Sequence, residues 1–211
     1  MAGLRMSVVV CATAFLLGLL FTHWIADSNT LWKSPETQTD DRLWAAATYY
    51  AILSRMPMWL AYVYAAAAVF GGTTILWSLR DGRAGNLMFD GGSIFLYGSA
   101  IYIYIDSVLP NILTNFTSLP LPFPSQSSPE SPSVASSLPP FPPSLRTPTL
   151  ELASSHLACS VVLTGVLVLQ AGRWWAEQKD LDVDDGLLAD DEDEGRTRES
   201  TPIPAETKKT K

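Results

Sequence analysis

The chain has 211 residues, of which 47% are hydrophobic and 17% charged, and a formal net charge of −7. Long uncharged apolar runs alternate with polar stretches, and most acidic residues follow residue 176. That segregation excludes an ordinary soluble domain and makes a bilayer the solvent for the apolar runs. No basic patch is present to neutralise phosphates, which excludes nucleic acid as a partner.

The first run, Met6 to Ile25, carries no Asp, Glu, Lys or Arg. It is long for a signal peptide and lacks a small-x-small cleavage site, so it reads as an uncleaved first span. In the loop that follows, Leu43, Ala47, Tyr50 and Ser54 recur at helical spacing, which predicts a short helix leading into the second span. Pro57 then suits a helix start. The second span runs from Met56 to Leu79, with Trp59 and Trp77 near its ends, where amphipathic rings favour the headgroup layer. The third is predicted over Leu87 to Ile105, between Asp90 at the interface and Asp106 beyond it.

The loop after it contains a glycosylation sequon at Asn115-Phe116-Thr117. From Ser118 to Pro148 the chain holds ten prolines and nine serines, too little apolar surface to offset its chain entropy, and is predicted to be extended. The fourth span runs from Leu152 to Gly172 and ends on Arg173-Trp174-Trp175, an interfacial anchor. The expected organisation is an all-α membrane domain over 1–175, with spans near 6–25, 56–79, 87–105 and 152–172. A disordered acidic tail over 176–211 completes it.

Orientation follows from the positive charges nearest the span ends. Arg5, Arg80, Arg83 and Arg173 fall on the side of the two termini, against Arg55 close in on the other. Both termini are therefore expected in the cytosol and Asn115 in the lumen. The last residues, Lys208-Lys209-Thr210-Lys211, match the dilysine retrieval address of endoplasmic-reticulum membrane proteins, which is read only on a cytosolic C-terminus. Asp190, Asp191 and Glu192 open the densest acidic run, either a solvated face or a docking site for a vesicle coat. Asp180, Asp182, Asp184 and Asp191 only echo a calcium loop, since Gly186 is one place late and the bidentate glutamate is missing.

No paired-histidine motif, cysteine cluster, phosphate-binding glycine loop or nucleophile elbow occurs, so no enzyme, metal or cofactor is expected. Cys11 and Cys159 lie in apolar runs and read as small core residues. His156 is within reach of Asp106 as a relay pair, but solvation of each at the interface is the favoured expectation. None of the spans places an ionisable residue at its middle, which counts against the alternative of a small oligomeric transporter or channel.

The spans do carry small residues: Ala14 and Gly18 in the first, Gly71, Gly72 and Thr73 in the second, Gly91, Gly92 and Ser93 in the third. Helices associate in lipid through close packing and hydrogen bonds, which such notches permit. Two uses are open: holding the four helices to each other, or receiving helices of a client protein.

Several strings together resemble the fungal endoplasmic-reticulum packaging chaperones for amino acid permeases. They are Ala14-Phe15-Leu16-Leu17-Gly18, Tyr49-Tyr50-Ala51-Ile52-Leu53, Gly71-Gly72-Thr73, and Leu87-Met88-Phe89-Asp90-Gly91-Gly92-Ser93 running on to Tyr97. The likeness covers residues 8 to 106; the fourth span and tail match in character, and the Pro/Ser segment looks like an insertion. The resemblance implies a multi-pass chaperone of the endoplasmic-reticulum membrane. Its membrane body would shield permease helices, and its tail would meet vesicle coat components.

Overall fold

The computed structural model describes residues 2–32, 37–80, 84–119 and 139–198, with side chains over 4–32, 37–80, 87–119 and 139–179. All regular structure among these residues is helical. The helices are α1 (Ala2–Asp27), α2 (Asp40–Ser54), α3 (Met58–Leu79), α4 (Ala84–Ile103), α5 (Leu109–Asn111) and α6 (Pro143–Arg198). Four helical stretches are long and apolar enough to cross a membrane: Leu4–Asp27, Met58–Leu79, Leu87–Phe116 and Pro143–Lys179. Only 11% of the most apolar window of α3 is buried within the protein, so its outer face needs lipid around it. Trp59 and Trp77 project outward near the two ends of that helix.

Residues Met1–Gln170 form one compact unit and Ala171–Lys211 a second. In the first, Val9, Leu20, Ile75, Tyr97, Ala100, Cys159, Leu163 and Val166 fill the space between the spans. A second cluster lies where α2 covers one end of the bundle: Leu43, Ala46, Ala47, Tyr50 and Ala51 meet Val108, Ile112, Phe116 and Leu152. The predicted short helix before the second span is therefore α2, with the anticipated face buried and Pro57 at the N-cap of α3. Polar contacts tie α2 to its surroundings. Arg55 donates to the Leu119 carbonyl at 2.6 Å, a cation at the C-terminal end of the third span's helix. The Trp44 indole N–H donates to the Pro139 carbonyl at 2.8 Å.

Three expectations are corrected. The third span does not stop at Ile105 but continues to Phe116 through two π-helical turns, Tyr104–Val108 and Ile112–Phe116, flanking α5. Pro110 lacks the N–H that would pair with the Asp106 carbonyl, and widened turns absorb that defect without ending the helix. Asp106 is no barrier because its side chain is exposed. The fourth helix begins at Pro143, inside the segment read as extended, because proline is preorganised for a first turn. Residues 120–138 of that segment lie outside the described residues. Cys159 is buried as expected, but Cys11 sits on the outer face of α1.

Past Gly172 the helix extends into the acidic segment as far as Arg198. Ala176 to Asp185 contains no Gly or Pro to stop it. In this second unit Arg173 Nε pairs with Glu177 at 2.9 Å, and Lys179 Nζ stands 4.9 Å over the Trp175 ring. Lys208 and Lys209 lie outside the described residues, and so do the side chains of Asp190, Asp191, Glu192 and the calcium-loop aspartates.

The glycines divide into two kinds. A Cβ on Gly71 would sit 2.5 Å from the Tyr97 hydroxyl and 3.0 Å from Ala12 Cβ. On Gly92 it would meet Leu169 Cδ1 at 2.9 Å, and on Gly72 the Tyr97 ring at 3.4 Å. At Gly18 and Gly91 it would meet nothing within 4 Å. Tyr97 is held in place by its bond to the Ala68 carbonyl at 2.9 Å, so it has little freedom to retreat from Gly71. Gly71→Ala is expected to destabilise the detergent-solubilised protein by about 1–3 kcal/mol. Gly18→Ala should leave its thermal unfolding midpoint unchanged.

Candidate functional site

Two clusters of buried polar side chains mark the ends of the bundle. The first forms where α1 ends. Asp27 is 4% exposed and His156, on α6, is 1% exposed. Tyr50 donates its hydroxyl hydrogen to Asp27 Oδ1. His156 Nδ1 faces both carboxyl oxygens at 3.3 Å, which fixes that nitrogen as the donor and leaves Nε2 as the second ring atom. Nε2 is buried without a hydrogen-bond partner. The His23 ring stacks on His156 with centroids 4.6 Å apart. Tyr49 donates to the Thr22 carbonyl at 3.2 Å, so it accepts from His23 Nδ1 at 2.9 Å. Helices α1, α2 and α6 thus meet through one network, buried at Asp27, Tyr50 and His156.

The second cluster joins α3, α4 and α6. Ser78 donates to Asp90 Oδ2 at 2.8 Å, and Gln170 donates to Ser93 Oγ at 2.9 Å and Asp90 Oδ1 at 3.5 Å. Asp90 and Gln170 are each 1% exposed and Ser93 is fully buried. His156 and Gln170 are fourteen residues apart on one helix, roughly 21 Å, and the apolar cluster around Ile75 and Val166 fills the interval. A polar path for transport would have to cross that layer.

Several expectations change here. The partner of His156 is Asp27, not Asp106, and His156 is buried rather than solvated, because α2 lies over the pair, whereas Asp106 is exposed as expected. Asp90, near the start of α4, is buried inside the bundle and hydrogen-bonded by Ser78 and Gln170. Asn115 is not in a loop but on the last π turn, where its side-chain N–H donates to Asn111 Oδ1 at 3.0 Å. Of the small residues, Gly71, Gly72, Gly92 and Ser93 are consumed by packing inside the bundle. Ala14, Gly18 and Thr73 are exposed, and Gly91 has open space beside it. Tyr50 was legible as part of an amphipathic helix and Tyr49-Tyr50 as part of the family resemblance, but nothing in their spacing announces Asp27.

Chemically, the first cluster has an acid–histidine pair but no hydroxyl or thiol on Nε2. Among the described residues no group of three or more His, Cys, Asp or Glu is placed to hold a metal ion. The arrangement orients helices in a medium where an unpaired polar group is expensive.

A model of the SHR3 chaperone family, described as ER membrane protein SH3, matches residues 1–210. The curated secretory component protein psh3 of Schizosaccharomyces pombe is 26% identical over 166 residues, 78% of this chain and 66% of that protein. The alignment therefore spans just under two thirds of the relative's own length. No solved structure matches the chain.

Asp27→Leu leaves His156 and Tyr50 without their acceptor, and should cost about 3–5 kcal/mol of stability, read as loss of the folded fraction in detergent. Burial pushes the Tyr50 phenol well up, and the neighbouring Asp27 charge adds to the effect. Folded Tyr50 thus keeps its proton where unfolded tyrosines ionise, near pH ~10. Its contribution is complete below that pH and lost as pH rises through it. Thermal midpoints should be flat from about pH 7 to 9 and then fall, more steeply in the wild type than in Tyr50→Phe.

Proposed function

The chain belongs to the SHR3 chaperone family, and on that premise we propose that it assists the folding of amino acid permeases and their packaging into coated vesicles. It is a multi-pass protein of the endoplasmic-reticulum membrane. The observation that carries the reading is the family match over residues 1–210, and the exposed small residues supply a means. A permease with incomplete helix contacts exposes polar groups to lipid. Faces such as those around Gly18 and Gly91 can cover them closely without a deep, long-lived interface. Weak contact then yields when native permease packing wins.

In this reading the chain is not an enzyme, and both termini face the cytosol. Asp190, Asp191 and Glu192 meet the vesicle coat, and Lys208 and Lys209 return escaped molecules. The charge distribution next to the spans supports that orientation.

In cells lacking the protein, amino acid permeases should accumulate in the endoplasmic reticulum while unrelated polytopic cargo leaves at its normal rate. Normal surface delivery of permeases would overturn the proposal. Replacing Lys208 and Lys209 with serine should move a fraction of the protein into later compartments, seen by fractionation; unchanged residence would remove the retrieval role.

A further inference from the structure

The Asn115-Phe116-Thr117 sequon is complete in the sequence but closed in the fold. A sequon needs the hydroxyl two residues on as well as the asparagine, so a transferase reads both side chains together. Here the backbone is helical through all three residues. Asn115 and Phe116 end the second π turn, and Thr117 follows with φ −64° and ψ −36°. Positions i and i+2 of a helix do not face each other, so the carboxamide and the hydroxyl diverge. Transfer therefore requires local unwinding, and three contacts from distant parts of the chain oppose it. Phe116 is fully buried beneath α2, its ring centroid 5.3 Å from that of Tyr50. Arg55, just past α2, donates to the Leu119 carbonyl at 2.6 Å and to the Thr117 carbonyl at 3.4 Å. The Asn115 carboxamide donates to Asn111 Oδ1 at 3.0 Å, and Asn111 donates in turn to the Pro148 carbonyl of α6 at 3.1 Å.

These ties do not exist when the sequon is first made. Pro148 follows Asn115 by 33 residues, so a growing chain presents the sequon before α6 can hold it. We propose that Asn115 is a conditional N-glycosylation site, modified on chains whose third span is not yet closed by α2 and α6 and left bare on the folded protein. The proposal rests on the orientation with both termini in the cytosol, which puts the sequon in the lumen. Transfer joins Asn115 Nδ2 to the first sugar carbon of a lipid-linked oligosaccharide. That carbon's bond to pyrophosphate breaks, the lipid pyrophosphate leaves, and the amide proton passes to a base of the transferase. The glycan then records slow or failed closure. A bulky, hydrated group beside Phe116 also works against returning that ring beneath α2.

The test is expression of the full-length chain in endoplasmic-reticulum membranes, with glycosylation read as a gel shift that a glycan-removing amidase reverses. The wild type should show little shift. Ala47→Arg forces a charge into the buried face of α2 and should shift most of the chain. Asn115→Gln in the same background should abolish that shift. Arg55→Ala loosens the closure without entering the core, because Arg55 is exposed. Its loss of a charged hydrogen bond should raise the shifted fraction about tenfold. Val134→Asn creates a second sequon with Ser136, between the third and fourth spans, and reports the compartment. A shifted Val134→Asn chain alongside unshifted Ala47→Arg and Arg55→Ala chains overturns the conditional site, and so does a wild type glycosylated in full. An unshifted Val134→Asn chain overturns the lumenal orientation and this proposal with it.

Discussion

Hydrocarbon leaves a polar side chain no solvent to turn to, and the two polar helix junctions of this protein answer that fact. Asp27 and Asp90 are the sharpest instances. Each is almost fully buried, and each is met by donors from two other helices. Burying such groups does not by itself make a fold more stable than apolar packing would. It does make wrong pairings expensive, because a slipped helix strands a carboxyl group in a medium that cannot hydrate it. The two clusters therefore set register at the two ends, and the apolar layer between them supplies cohesion.

The sequence made the number and order of the spans legible because a charge-free run of about 20 residues has few other uses. The helix before Pro57 was legible from periodicity alone. What could not be read was pairing. His156 is more than a hundred residues from Asp27 and His23 in the chain, and no local pattern links it to them. The end of the third span was misjudged for a related reason. Asp106 and Pro110 resemble a stop, and only the exposed placement of the one and the widened turns around the other show otherwise. Retrospectively, the string from Leu87 to Ser93 was specific because it encodes contacts: Asp90 and Ser93 accept from neighbouring helices, and Gly92 makes room for Leu169.

Small residues in membrane helices have two uses, and composition cannot divide them. The structure shows which of them serve the first use by what stands opposite each. Gly71 and Gly72 face Tyr97, whose hydroxyl is itself held by a backbone carbonyl. They belong to the protein's own assembly. Gly18 and Gly91 have empty space beside them, in a family whose members are named as chaperones.

Trp59 and Trp77 stand eighteen residues apart on α3, about 27 Å along the axis. Indole rings settle at the headgroup boundary, so the pair works as a caliper. The gap equals the hydrocarbon thickness of an endoplasmic-reticulum bilayer, roughly 27 Å, and falls short of the sterol-rich plasma membrane by several ångströms. In a thicker sheet one ring would be drawn below its preferred depth, or the lipid around α3 would have to thin. Bilayer thickness thus favours residence early in the secretory route, independently of any address at the chain's end.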